Sequence, residues 1–335
     1  MNDQALVKED NSKKKKLRLR RLRYTCRGNR PNVLGPAHFT VAADERIEAA
    51  NDNSPVELSD EKPLDSLSSG AVSVIGGRKE MEDAVRVELG FLEVKKIGTL
   101  DFFGVYDGHG GAHVAEACRE RMHVLVADEM ERLSFWEEDN FNGLKEVMKR
   151  AFERMDDEVK SHRIKGSTAV VAVVGPGEII VANCGDSRAV LSRGGVAVPL
   201  SVDHKPDRPD EYERIEQSGG KVINWNGQRI FGVLSTSRAI GDAYLKPFVI
   251  STPEVTVVKR TKQDEFLILA SDGLWDVLSS EVACKIGNRF FSRKQKGRFL
   301  PAGNMAAKLA AVLTELAVAR GSCDNISVVV VDLTS

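Results

Sequence analysis

Ile326-Ser-Val-Val-Val-Val331 has no polar residue at every second place to give it one wet face and one dry face. Ser167-Thr-Ala-Val-Val-Ala-Val-Val174, Glu178-Ile-Ile-Val-Ala-Asn183 and Glu265-Phe-Leu-Ile-Leu-Ala-Ser271 share that character. β-Branched residues favour strands, and a strand apolar on both faces needs cover on both. Such strands belong inside a layered sandwich with helices outside. Further β-rich runs lie at Ala71–Ile75, Ala84–Leu89, Phe102–Val105, Ser187–Leu191 and Val255–Val258. The outer layers come from helical spacing over 112–132 (Val114, Cys118, Met122, Val126), 143–160 (Leu144, Val147, Met148, Ala151, Met155), 279–291 and 303–319. A shorter helix is expected over 208–218, and a basic solvated loop over Ser292–Arg298.

The first 69 residues read differently. Lys13-Lys-Lys-Lys-Leu-Arg-Leu-Arg-Arg-Leu-Arg23 is densely basic, and the segment after it is polar and without periodicity. Such a stretch cannot bury enough apolar area to offset the entropy of ordering it. A disordered basic and polar tail is expected over 1–69 and a folded domain over 70–335. The basic run suits a nuclear import signal or a patch for an anionic surface. A net charge of −1 argues against binding nucleic acid through the whole surface. No apolar run is long enough for a bilayer, and the N-terminus lacks the apolar core of a secretory signal. Five widely spaced cysteines without C-x-x-C suit a reducing compartment, with neither disulfide framework nor zinc site. Nucleus and cytoplasm are the expected locations.

Chemistry concentrates where the strands stop. The run at Phe102–Val105 is expected to end at Asp107-Gly108-His109-Gly110-Gly111, which offers a carboxylate, an imidazole and glycines that let backbone approach a ligand. Carboxylate and carbonyl oxygens suit Mg2+ or Mn2+, although Asp-Gly is equally a tight turn. Arg78, Glu82 and Asp83 lie in a loop between two strands, where a guanidinium could grip phosphate in a bidentate manner; a mixed-charge surface hairpin would look the same. Asp186 and Asp272 each end an apolar strand, Asp276 follows a turn later, and Asp324-Asn325 precedes the last strand. Asn224-Trp225-Asn226-Gly227 has the composition of a hairpin tip, with its indole either folded back or held out.

Taken together, R-x-x-x-E-D (78–83), D-G-H-G-G (107–111), N-C-G-D-S-R (183–188), S-R-A-I-G-D (237–242), D-G-L-W-D (272–276) and D-N (324–325) resemble the metal-dependent type 2C protein serine/threonine phosphatases over about residues 70–333. The resemblance implies an α+β fold, a four-layer α-β-β-α sandwich. Two antiparallel sheets pack face to face, helix pairs flank them, and metals sit at one edge. It also implies that Asp107 bridges two Mn2+ or Mg2+ ions, that Glu82 and the Gly108 carbonyl complete one site, and that Asp272 and Asp324 hold the other. Asp186 and Asp276 match positions of a weaker third ion. Two ions about 3.5–4 Å apart can activate a shared water for in-line attack on phosphorus. Arg78 would hold phosphate oxygens, His109 would protonate the departing Ser or Thr oxygen, and Asp83 would support the site. The absence of Cys-x5-Arg argues against a cysteine-based phosphatase.

Val222-Ile-Asn-Trp-Asn-Gly-Gln-Arg-Ile-Phe-Gly-Val-Leu234 is similar, more narrowly, to plant phosphatases that act as abscisic acid co-receptors. That likeness implies that Trp225 inserts into the gate of a hormone-bound receptor, with Arg229 and Phe231 beside it and Gly110 meeting the gate at the active site. It implies Snf1-related kinases as phosphorylated substrates and a monomeric enzyme. Ser235-Thr236 departs from the Ala-Met usual in that clade. A catalytically weak phosphoprotein-binding module is the alternative, disfavoured because every expected carboxylate is present. Nucleic-acid binding through residues 13–23 could only add to the function.

Overall fold

In chain order, β1 (Ser68–Val74), β2 (Asp83–Val94) and β3 (Gly98–His109) precede α1 (His113–Arg132) and α2 (Phe141–Glu158). Then come β4 (Gly166–Ser167), β5 (Ala169–Val174), β6 (Glu178–Cys184), β7 (Arg188–Arg193), β8 (Val196–Pro199) and α3 (Pro209–Gln217). The hairpin β9 (Val222–Asn224)–β10 (Gln228–Ile230) leads to β11 (Ile240–Gly241), a 3-10 turn (Ala243–Leu245), β12 (Glu254–Lys259) and β13 (Asp264–Ala270). The chain closes with α4 (Asp272–Trp275), α5 (Ser280–Gln295), α6 (Met305–Ala319) and β14 (Ile326–Asp332). The computed structural model describes residues 67–94, 97–132, 141–295 and 304–334. The basic run at 13–23 and nearly all of the expected tail lie outside the described residues.

One sheet has the order β1-β14-β13-β7-β8, and a second runs β11-β4-β3-β5-β6-β12 with β2 on the other side of β3; every pairing within both is antiparallel. The reason the Val-rich strands lack alternation is visible in where their side chains go. Val329, Val331, Leu267 and Leu269 join Phe103, Val105, Val170, Ala172, Ile179 and Val181 in the core between the sheets. The intervening Val328, Val330, Phe266 and Ile268 pack under Leu309, Ala310, Leu313 and Cys284 of α5 and α6. On the opposite side Phe102, Val171, Val173 and Ile180 pack under Met122, Leu125, Met148 and Phe152 of α1 and α2. Helix pair, sheet, sheet and helix pair thus form the expected four layers.

Local departures have local causes. β1 opens at Ser68 and Leu67 is buried, just ahead of residue 70. The run at 167–174 divides at Thr168, whose N–H donates to the Asp107 carbonyl at 2.9 Å, so β4 pairs with Gly108 and His109 while β5 pairs with Asp101–Val105. That extra pairing carries β3 through Asp107 to His109, past the expected stop. The expected basic loop at 292–298 is corrected over 292–295, where α5 continues to Gln295, since Arg, Lys and Gln all favour helix; residues 296–298 lie outside the described residues.

Candidate active site

The register of β2 on β3 sets Asp83 directly opposite Asp107. The N–H of Gly108 donates to the Glu82 carbonyl at 3.2 Å, and a Cβ on residue 108 would stand 2.5 Å from that oxygen. Only glycine permits this approach. The N–H of Gly111 donates to Glu82 Oε1 at 2.6 Å, holding that carboxylate against the end of β3.

The other sheet contributes the ends of β13 and β14. Ser271, the last residue before α4, donates from Oγ to Asp83 Oδ2 at 2.8 Å and accepts from the Ser327 N–H at 3.0 Å. Asp272 follows it. Asn325 accepts from the Glu82 N–H at 2.8 Å and donates to the carbonyls of Ile75 and Glu80, so the loop carrying Arg78 is clipped to the start of β14. Its neighbour Asp324 accepts from the Asn325 N–H at 2.7 Å and from Arg78 Nη2 at 2.5 Å. Asp186, in the turn after β6, receives the Lys205 ammonium at 2.5 Å.

These acids feel one another. Burial raises the Asp107 carboxyl well above the usual range, and Asp83, Asp272, Asp186 and Asp324 add to the rise. Asp272 is likewise raised well above it, by burial and then by Asp186, Asp276 and Asp324, against an opposing pull from Lys205. Burial lifts Asp83 to about 6, although hydrogen bonds from Ser271 and Ser327 favour its charged form. Asp276, on the exposed side, is raised by burial against the pull of Lys205. Burial disfavours the Arg78 charge, but Asp324 first, then Asp107 and Asp272, outweigh it and raise its pKa. The result is a cluster of carboxylates in reach of two cations, an arrangement typical of functional rather than stabilising charge.

His109, at the end of β3, directs Nε2 at Asp242 Oδ2, 2.6 Å away. An imidazole, a guanidinium and the carboxylate cluster therefore share one end of the sandwich. The profile of the protein phosphatase 2C family matches residues 67–326, which contain all of them. The chain belongs to the protein phosphatase 2C family. It is 57% identical over 300 residues to "Probable protein phosphatase 2C 8" of Oryza sativa subsp. japonica, covering 80% of this chain and 74% of that one. It is 50% identical over 291 residues to "Protein phosphatase 2C 37" of Arabidopsis thaliana, covering 79% and 71%. Among solved structures, a serine-threonine phosphatase 2C from Toxoplasma gondii superposes with a TM-score of 0.67 at 29% identity, covering 80% of this chain and 95% of that one. The protein is a serine/threonine protein phosphatase.

Phosphatases of this family are metal-dependent, and the donor set here is all oxygen, the kind that Mg2+ and Mn2+ take. Among the described residues no three acidic, histidine or cysteine side chains close on one point at coordinating distance. Arg78 is paired with Asp324 and Lys205 with Asp186 at the edge of the cluster. The residues fit the ions chemically, since every side chain in the cluster that could reach them offers carboxylate oxygen. The buried thiols offer no competing nucleophile; burial pushes Cys284 up to about 12 and Cys118 and Cys184 upward as well.

Trp225, Arg229 and Phe231 stand apart from the carboxylates, on the β9–β10 hairpin. Trp225 holds the tip with its backbone N–H on the Gly227 carbonyl at 2.8 Å, Asn226 and Gly227 having positive φ, and the residue is 67% exposed. The indole is held out, not folded back. Phe231 is partly exposed and meets Phe248 edge to face at 4.9 Å, while Arg229 Nη1 donates to the Val233 carbonyl at 2.9 Å. Gly110, with φ of 72°, sits where a Cβ would stand 2.9 Å from the Ile164 carbonyl. Sequence reasoning passed over Ser271, Asn325, Lys205 and Asp242. Asn325 and Asp242 at least lie inside motifs that the sequence displays; Lys205 carries no local signal.

Proposed function

We propose that this phosphatase hydrolyses phosphoserine and phosphothreonine through two divalent ions, Mn2+ or Mg2+. In this reading Asp107, Glu82 and the Gly108 carbonyl hold one ion, and Asp107, Asp272 and Asp324 hold the other. Asp186 and Asp276 take a weaker third, in competition with Lys205. The ions, when bound, supply Lewis-acid activation of the attacking water and neutralise phosphate charge. The observation that carries the reading is geometric: β2 sets Asp83 opposite Asp107, and the bonds of Ser271 to Asp83 and of Asn325 to Glu82 tie the strand ends that carry Asp272 and Asp324 to the same place.

The chain's own residues do the rest. Arg78, half exposed and 2.5 Å from Asp324, would leave that carboxylate and turn its guanidinium onto the phosphate oxygens. Asp83, fixed by Ser271, orients groups around Asp107. His109 gives a proton to the leaving serine or threonine oxygen.

The reading extends to regulation. The enzyme acts as an abscisic acid co-receptor: Snf1-related kinases are its substrates, and a hormone-bound receptor covers the site with Trp225 as its anchor. An exposed indole among Ile223, Phe231 and Val233, all at the surface, supports an interface hot spot there. The enzyme works as a monomer in nucleus and cytoplasm, with residues 13–23 as the import signal.

One assay tests both layers: phosphate release from a phosphoserine peptide with Mn2+ or with EDTA, followed by addition of receptor and hormone. Turnover that needs Mn2+ and disappears in Asp107→Ala is expected, as is hormone-dependent inhibition that Trp225→Ala abolishes. Metal-independent turnover would sink the first layer. Unchanged inhibition in the Trp225 variant would sink the second.

A further inference from the structure

We propose that Asp242 is the positioning residue for His109, and that Gly166 is a glycine because the pair rests on it. The two partners lie 133 residues apart in the chain and meet at 2.6 Å between Nε2 and Oδ2. Asp242 is fully buried, and its Oδ1 has no hydrogen-bond partner, so the imidazole is the only described side chain hydrogen-bonded to its carboxylate. A buried carboxylate with one oxygen unanswered costs stability, and a chain keeps such a group for what it does to its neighbour.

Three short strand segments build the contact. His109 is paired to Gly166, and Gly166 to Gly241. Across this narrow strip Asp242 is set by its N–H on the Lys165 carbonyl at 2.9 Å and by a left-handed backbone, φ 49°. The Gly241 N–H is itself held at 2.8 Å by Asp156 of α2. A Cβ on residue 166 would stand 2.1 Å from Asp242 Oδ2 and 2.4 Å from His109 Nε2. That glycine leaves open the space the hydrogen bond occupies.

The chemistry follows from which nitrogen is engaged. A carboxylate accepts, so Nε2 carries a proton and donates it to Asp242, which leaves Nδ1 as the ring nitrogen available to the leaving group. As the P–O bond breaks, its electron pair passes to the serine or threonine oxygen. The Nδ1 proton is transferred to that oxygen, and the ring remains as the neutral Nε2–H tautomer on Asp242. The carboxylate fixes ring orientation and tautomer and never takes the proton, as in other Asp–His pairs.

This inference rests on His109 being the acid, so the test separates the two. Turnover of a phosphoserine peptide, whose leaving alkoxide is strongly basic and needs a proton, is compared with that of p-nitrophenyl phosphate, whose leaving phenolate does not. With the Mn2+ enzyme, His109→Ala is expected to lower kcat on the peptide about 100-fold more than on the aryl ester. Asp242→Asn should show the same bias at about tenfold. If His109→Ala shows no bias, the acid assignment is wrong. If it does and Asp242→Asn lowers both substrates alike, Asp242 is merely structural and the inference is overturned. Should Asp242→Asn fail to fold, 15N-histidine spectra of the wild type decide: a protonated Nε2 on His109 supports the pair, and an unprotonated Nε2 refutes it.

Discussion

Arg78 shows at the scale of one residue how a charge can serve two states of a site. Its Nη2 lies 2.5 Å from Asp324, with the side chain half exposed, so solvent screens the pair and its contribution to stability is small. Its value lies in what the guanidinium can do when phosphate arrives: two parallel hydrogen bonds in a fixed fork. A charge-assisted hydrogen bond contributes about 1.5–3 kcal/mol. Arg78→Ala is therefore expected to lower kcat/KM on a phosphopeptide about ten- to a hundredfold. Arg78→Lys should recover only part, because an ammonium cannot present the fork. Steady-state kinetics with Mn2+ saturating would check this, and a kcat/KM within about twofold of wild type in Arg78→Ala would remove Arg78 from phosphate binding. This residue was legible in the sequence because it precedes two carboxylates in a loop between strands. Asp242 was not, because nothing near residue 242 points to residue 109, and only the pairing of β3, β4 and β11 brings them together.

At the scale of elements, the strands were the readable part. Unbroken valine runs could only be strands wet on neither face, and residues 328–331 divide alternately between the inter-sheet core and the helix-covered one. The end of α5 was less readable, since basic residues serve a loop or an exposed helix turn equally well. The charge network around α3 was hidden, because Ser237 and Arg238 lie 26 and 27 residues from the acid they bind. Glu211 of α3 accepts from Arg238 Nη2 at 2.6 Å, Ser237 Oγ at 2.6 Å and Arg214 Nη2 at 2.8 Å. Burial alone would raise its pKa, yet these bonds bring it down to about 2. Beside it, His204 is fully buried, with Nδ1 3.1 Å from both the N–H and the carbonyl oxygen of Gly185. Burial, then Arg238, lowers its pKa from 6.5 to about 4. Between those values the unfolded chain binds the proton and the folded one does not. The stabilisation from neutral His204 is thus complete above pH 6.5 and is lost as the pH falls toward 4, by on the order of 1–3 kcal/mol. The Glu211 contribution, by contrast, survives down to pH 4.5 and disappears only toward 2. The difference in Tm between wild type and His204→Asn, whose amide oxygen can still accept the Gly185 N–H, should therefore change steadily across pH 6.5 to 4. A difference that stays constant over that window would show that His204 is not held neutral.

For the whole molecule, the same carboxylates that define the site oppose its folding. Asp107 and Asp272 are raised well above their ordinary range by burial and by neighbouring carboxylates, so keeping them charged costs the fold stability. The four-layer core supplies stability, and the facing ends of β2, β3, β13 and β14 use some of it to hold like charges side by side. Bound cations would reverse the balance. An ion present at about 100 times its Kd stabilises by about 2.7 kcal/mol, or about 5–10 °C in Tm for a domain of this size. Adding Mn2+ to EDTA-treated protein should raise Tm by that amount, read by calorimetry. Asp107→Ala should behave oppositely in the two conditions: at least as stable as wild type in EDTA, because one repelling charge is gone, and less stable in Mn2+, because the bridging ligand is gone. If instead Mn2+ raised both proteins equally, the ions would bind somewhere other than between these strand ends. If Asp107→Ala were the weaker protein in EDTA as well, the cluster would be a structural network, with its charges already balanced by Arg78 and Lys205.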